Sequence, residues 1–380
     1  MSFSKLGLSA PLLKNIEAQK YEQPYAIQQQ AIPAILQGKD VLGIAQTGSG
    51  KTASFALPIL EKLQRTEIAG NRFVKTLVLV PTRELAMQVN EVFRTFSAGL
   101  SRRVKTVAVY GGVSINPQMM QLHGTDVLVA TPGRLLDLVR LKAVHLAQVE
   151  LLVLDEADKM LNLGFKDEMD EIFGLLPAKR QNILFSATLG EGVQNINDTM
   201  LHNPLTIKIE SESISPEQIE QIAYRLTPEK KGPFLRYLLK QGDLQQVLVF
   251  VSATRTADNL VDKLTKNGIE AAAMHSKKSQ GARTDALQKF KTGKLRILVA
   301  TDLASRGIDI QLLPYVINYD LPRSPKDYVH RIGRTGRAGA AGQAISLICP
   351  DDEHHFKIIQ KKMGKQVEIL ETENIDLKGF

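Results

Sequence analysis

The stretch 40-DVLGIAQTGSGKTASFALPILEKL-63 decides how the rest of the chain is read. An apolar run passes through a glycine-bearing turn into a helical pattern, the strand–loop–helix order that a phosphate-cradling loop requires. Gly48 and Gly50 let backbone N–H groups curl around phosphate oxygens with no Cβ in the way. The start of the following helix adds favourable partial positive charge. Ala45 stands where the usual pattern has its first glycine, and Gln46, Thr47 and Ser49 complete the loop. Lys51 has the reach for β- and γ-phosphates, and the Thr52 hydroxyl suits a Mg²⁺ ion. Pro58 is expected to bend or shorten the helix.

Working outward, short runs rich in Val, Ile and Leu recur between longer helical patterns. They are TLVLVP (76–81), VKTVAVY (104–110), DVLVAT (126–131), LLVLDE (151–156) and NILFSAT (182–188), then QVLVFVS (246–252), EAAAMHS (270–276), LRILVATD (295–302), YVINYD (315–320) and AISLIC (344–349). Near-continuous apolar runs are the mark of strands covered on both faces, and their alternation with helices predicts two open, doubly wound α/β parallel sheets. The polar stretch 209–221 has no core pattern. It places a flexible linker at 208–217, between a first domain at 1–207 and a second at 218–380.

A 380-residue chain that is 43% apolar has enough material for two cores, which excludes a disordered or disulfide-stapled protein. The single cysteine, Cys349, sits in an apolar strand pattern and reads as core. No apolar run reaches the ~20 residues of a membrane helix, and the first twenty residues lack the pattern of a secretory signal. A cytoplasmic protein with no membrane contact is the expectation. Net charge is +8, of which residues 211–380 carry +6. That excess fits a polyanionic partner, although charge alone fits an ordinary basic enzyme equally well. His354 and His355 point to different faces of a helix with no third ligand nearby, so no metal site is expected there.

Asp155-Glu156-Ala157-Asp158 follows the apolar run LLVL. Asp155, ending a buried strand, is placed to hold Mg²⁺, through water because that ion keeps several waters. Glu156 is placed to orient and deprotonate an attacking water. An acidic helix start is the plainer alternative for the tetrad on its own. With the phosphate loop a hundred or so residues upstream, the chain resembles the DEAD-box ATP-dependent RNA helicases from about Phe3 to Cys349. The resemblance implies two RecA-like domains, with ATP and Mg²⁺ bound and RNA as partner.

The same resemblance assigns further residues. Tyr21 to Gln28 resembles the family's Q motif, so Gln28 would read the adenine edge and Phe3 would stack on its face. Pro81, Thr82 and Arg83, the Gly111-Gly112 doublet, and Thr131 with Arg134 look like contacts to an RNA backbone. Ser186 and Thr188 would couple the ATP site to domain closure, with Asp158 as their acidic neighbour. In the second half, Gln280 and Arg283 resemble the QxxR element. Arg283 and Thr301 would then touch RNA, while the segments 301–309 and 330–337 also supply Asp309 to the ribose or the water region and His330 to coupling. Arg334 and Arg337 would act as arginine fingers on the γ-phosphate, a role suited to the planar guanidinium.

The implied activity is RNA-stimulated ATP hydrolysis driving local unwinding of short duplexes or remodelling of RNA–protein complexes. An ATP-gated RNA clamp and a DNA-translocating motor are the competing readings. The opening MSFSKLGLS, the run AIQQQAIPAIL and the compact second domain look most like the bacterial RhlE-type subgroup. A monomer is expected, with protein partners in RNA metabolism or ribosome assembly.

Overall fold

The computed structural model describes residues 2–45, 48–65, 73–209, 219–242, 244–302, 313–335 and 342–380. The chain divides into two compact units, Met1–Ser211 and Glu212–Phe380.

The first unit holds β1 (Val41–Ile44), β2 (Thr76–Leu79), β3 (Thr106–Val109), β4 (Val127–Ala130), β5 (Leu151–Leu154), β6 (Gln181–Ser186) and β7 (Leu205–Lys208). All pair in parallel, in the order β3-β4-β2-β5-β6-β1-β7. Two separate apolar clusters flank the sheet, one containing Ile32, Phe55 and Phe93 and the other Leu136, Met160 and Ile172. Such two-sided burial explains why β2, β4 and β5 read as unbroken apolar runs.

The second unit holds β8 (Glu220–Arg225), β9 (Val247–Val251), β10 (Ala271–Met274), β11 (Ile297–Thr301), β12 (Tyr315–Asn318), β13 (Gln343–Ile348) and β14 (Glu368–Glu371). They too form one parallel sheet, ordered β10-β11-β9-β12-β13-β8-β14. Cys349 is buried and free at the end of β13.

Two expectations change. The helix Lys51–Leu63 continues past Pro58 without ending there. Nearly every residue of its second half is buried, so tertiary packing outweighs the lost backbone hydrogen bond. The expected linker also begins too early: β7 reaches Lys208, and the Ile209 N–H still donates to Ile44 O. The remaining linker positions, 210–217, lie outside the described residues.

Sheet order sorts the loops of the first unit. The carboxyl ends of β5, β6 and β1 lie side by side, and those of β3, β4 and β2 form the other flank. The first group carries Asp155, Ser186 and the glycine loop. The second carries Pro81–Arg83, Gly111-Gly112 and Thr131–Arg134. Ligands of open α/β sheets gather at carboxyl ends of this kind.

Candidate nucleotide and RNA-binding site

The glycine loop is tied to its neighbours by backbone groups. Ala45 N–H donates to Ser186 O at 3.0 Å, and buried Lys51 donates from Nζ to Ala45 O at 2.9 Å. Gly50 caps the helix Lys51–Leu63 in the left-handed region, at φ +84°. A Cβ there would lie 2.5 Å from Gln28 Nε2, so glycine is required by both backbone angle and space. Ser49 and Thr52 sit at this helix start, half-buried. Gln46 and Thr47 lie outside the described residues.

Gln28 is fully buried and touches the loop directly. Its Nε2 donates to Gly50 O at 3.0 Å, and its Oε1 accepts from Tyr25 N–H at 2.9 Å. A carboxamide has a second donor hydrogen and a second lone pair, so these bonds leave capacity for an adenine edge. Phe3 is 5% exposed, packed in the core with its ring centroid 6.4 Å from that of Tyr21. The structure thus gives Phe3 a packing role, which the sequence reading did not assign.

Asp155 and Glu156 follow β5, both buried. Glu156 adopts φ +57°, ψ +47°, the left-handed conformation that costs a non-glycine residue roughly 1–2 kcal/mol. Strain of this sort persists where surrounding structure holds it, typically at functional positions. Lys159 Nζ grips Glu156 Oε1 at 2.6 Å, while Glu156 Oε2 and Asp155 Oδ1 are buried with no hydrogen-bond partner among the described residues. Burial pushes the Asp155 carboxyl up to about 6, with Lys51 opposing the rise and Glu156 adding to it. A buried, orphaned carboxylate oxygen beside a phosphate-binding loop is what a divalent cation would satisfy. Among the described residues no cluster of three or more His, Cys, Asp or Glu forms a metal cage. A Mg²⁺ ion takes one or two carboxylates and completes its shell with water and phosphate.

Asp158 joins this centre to β6. Its Oδ2 accepts from Thr188 Oγ1 at 3.1 Å, and Ser186 Oγ donates to Thr188 O at 2.7 Å. Asp158 Oδ1 is buried and unpartnered among the described residues. Ser186, Thr188 and Asp158 therefore form one hydrogen-bonded relay at the back of the Asp155–Glu156 pair.

On the other flank, Thr82 Oγ1 caps the helix Arg83–Ser97 by accepting from Leu85 N–H at 3.3 Å. Thr131 precedes Pro132 at the start of the helix Pro132–Arg140. Arg134 is only 9% exposed: it donates from Nη2 to Val113 O at 2.9 Å and faces Asp137 at 3.5 Å. As placed, its guanidinium braces the Gly111-Gly112 loop, while Nε and Nη1 have no hydrogen-bond partner among the described residues. Gly112, at φ +80°, lies so close to Arg83 that a Cβ would sit 2.4 Å from Nη2. Gly112→Ala should push Arg83 aside and raise the RNA concentration for half-maximal ATPase about tenfold, from roughly 1–3 kcal/mol of strain. An RNA titration of ATPase checks this, with basal hydrolysis expected to stay within about twofold.

In the second unit Arg331 is the residue that sequence reading passed over. It is 2% exposed and grips Asp302 bidentately, Nε to Oδ1 at 2.6 Å and Nη2 to Oδ2 at 2.7 Å. Its Nη1 adds bonds to Asn318 Oδ1 and Asp320 O, and its guanidinium lies 4.9 Å from the centroid of Phe250. So one of three arginines in the segment 330–337 is a brace between β11 and β12. Spacing could not separate it from Arg334, which is half-buried beyond the end of the helix Pro325–Ile332. Arg283 is buried on the helix Gln280–Lys291 and Thr301 ends β11, whereas His330 is exposed. Asp309 and Arg337 lie outside the described residues. His355 Nε2 meets Pro322 O at 2.7 Å.

A phosphate loop, a strand-end Asp-Glu pair and a hydroxyl relay on neighbouring strands define the class: a P-loop nucleoside triphosphatase. Comparisons with known proteins make this specific. Residues 25–196 match the model of the DEAD/DEAH box helicase family, and 230–339 match the helicase conserved C-terminal domain. The chain is 42% identical over 377 residues to the DEAD-box ATP-dependent RNA helicase CshA of Streptococcus pneumoniae, covering 99% of this chain and 71% of that protein. It is 40% identical to the DEAD-box ATP-dependent RNA helicase RhpA of Helicobacter pylori, covering 99% of this chain and 75% of that protein. Among solved structures, Dbp5 of S. cerevisiae bound to RNA and ADP BeF3 matches at TM-score 0.83 and 32% identity, covering 98% of this chain and 96% of that one. A DEAD box protein from Methanococcus jannaschii matches at TM-score 0.54 and 36% identity, covering 97% and 99%. This chain belongs to the DEAD-box helicases, and its two parallel-sheet units are RecA-like domains.

Proposed function

We propose that the protein is an ATP-dependent RNA helicase that couples RNA-stimulated ATP hydrolysis to local strand separation or remodelling of RNA–protein complexes. The observation that carries this reading is the Asp155–Glu156 pair with unpartnered carboxylate oxygens, followed directly by Asp158, which Thr188 ties to the end of the strand beside the phosphate loop. Supporting it are the named relatives, which are RNA helicases, and the RNA-bound Dbp5 structure.

In this reading Lys51 and the loop N–H groups hold the β- and γ-phosphates. Mg²⁺ bound at Asp155 and Thr52 would neutralise charge on the transferred phosphoryl group. Glu156 takes a proton from the attacking water, its second oxygen steadied by Lys159. Arg334 and Arg337 supply guanidinium groups to the γ-phosphate, and Asp309 contacts the ribose or the water. Gln28 reads adenine, with Phe3 on its face. Pro81, Thr82, Arg83, Gly112, Thr131, Arg283 and Thr301 contact the sugar–phosphate backbone, which positions a strand without reading its sequence. His330 links nucleotide state to RNA grip. The first domain, carried through Ile209, and the second at 218–380 serve as the two working domains.

The assignment to the RhlE-type subgroup rests on MSFSKLGLS and AIQQQAIPAIL. A cytoplasmic monomer remains part of the proposal; among the described residues no helix is long and apolar enough to cross a membrane.

Strand displacement on a short RNA duplex tests the function. Separation is expected with ATP; an RNA clamp would hold its strand and displace nothing with ATP or a nonhydrolysable analogue. Equal stimulation of ATPase by single-stranded DNA would overturn the RNA assignment. Arg337→Ala should lower RNA-stimulated turnover by about 10³-fold, the scale of known arginine fingers, with little change in nucleotide affinity by fluorescence titration.

A further inference from the structure

A groove of about 460 Å³ lies in the first unit along the free edge of β3, walled by the helix Arg83–Ser97 and closed near Gln121. None of the groups assigned above to ATP or RNA lines it. Asn90 and Thr106 line the groove, and their Oδ1 and Oγ1 atoms are buried beneath it with no hydrogen-bond partner among the described residues.

The strand edge itself has an unfilled repeat. Lys105 O and Val109 O accept from β4 and its flanks, so residues 105, 107 and 109 face that neighbour. Strand alternation then turns the N–H and C=O of Thr106, Ala108 and Tyr110 the other way. At Tyr110 these outward groups are already met. Its N–H donates to Gln118 Oε1 at 2.9 Å, and its carbonyl accepts from Gln118 Nε2 at 3.2 Å. Gln118 thus occupies one strand-like position. Among the described residues nothing bonds the corresponding outward groups of Thr106 and Ala108, and both residues line the groove. Met120, beside the lining residue Gln121, is 84% exposed and offers an apolar anchor at the rim.

We propose that this edge is a docking site for an extended peptide segment of a partner protein, added as a short strand against Thr106 and Ala108. Backbone pairing would give affinity, and alternate side chains would give selectivity. The segment's run is limited at one end by Gln118, which blocks pairing at Tyr110. A nucleic acid is disfavoured at this spot: Glu91 and Arg94 form a pair at 3.0 Å and cancel in charge, and no other cation lines the groove.

A displayed library of twelve-residue peptides, panned on the whole protein, tests the proposal. Selected peptides should lose at least about tenfold in affinity on Ala108→Pro, which removes the outward N–H while keeping the face toward β4. Asn90→Arg, which fills the groove from the helix and leaves the strand untouched, should do the same and guards against a folding defect in the proline variant. Both variants should keep wild-type RNA-stimulated ATPase. Amide exchange at Thr106 and Ala108 should slow in the peptide complex. The proposal fails if no peptide is recovered, if selected peptides bind both variants as well as wild type, or if those two amides exchange unchanged. Self-association of wild type that Ala108→Pro abolishes, seen by sedimentation without peptide, would instead assign the edge to a second copy of this chain.

Discussion

Glu156→Gln should reduce ATP turnover by about 10²–10⁴-fold, the range expected when a positioned general base is lost. ATP and RNA binding should survive, because the change is isosteric and leaves the left-handed backbone at residue 156 in place. The Lys159 bond to the side chain persists in weaker form, to an amide oxygen rather than a carboxylate. The unpartnered Oε2, where a water would be deprotonated, becomes an amide nitrogen or oxygen of negligible basicity. RNA should therefore remain held in the ATP-bound state. Single-turnover hydrolysis with an RNA-retention assay reads both effects, and normal turnover would overturn Glu156 as the base.

Asp155→Asn is expected to stabilise the ligand-free protein while removing its activity. The Asp155 carboxyl has its pKa raised from 3.8 to about 6, burial being the main cause. Between those values the folded state holds a proton that the unfolded state has released, so stability falls as pH rises. Above about 6 the full penalty is present, on the order of 1–3 kcal/mol. Asparagine avoids it. The variant should thus unfold at higher temperature than wild type at pH 7.5, and the gap should close as pH drops from about 6 toward 4. Adding Mg²⁺ and ATP should reverse the ranking, since only wild type gains the linked binding energy. Thermal melts across pH, with and without Mg²⁺–ATP, measure all of this. A wild type that is more stable than the variant at pH 7.5 without ligand would remove Asp155 as a strained, cation-awaiting carboxylate.

The parts of the fold legible in sequence are those whose physics is local. A strand buried on both faces must be apolar throughout, so β2, β4, β5 and β9 announce themselves. β7 and β14 were not legible. Each lies at a sheet edge with only part of its side chains covered, and LTIK or EILE looks like any surface segment. β8 gave no strand signal either, because its sequence EQIAYR buries only alternate residues.

The phosphate loop and the Asp155–Glu156 pair were likewise legible, since spacing and residue type carry their chemistry. Tertiary structure alone decided which loops share a flank, because β1 lies beside β6 in space but far from it in sequence. It also separated Arg331, gripped bidentately by Asp302, from the arginines around it. A guanidinium looks the same in sequence whether it braces a loop or grips a phosphate. Only the surrounding dielectric and the partners within hydrogen-bond reach tell the two apart, and those are set by residues tens of positions away.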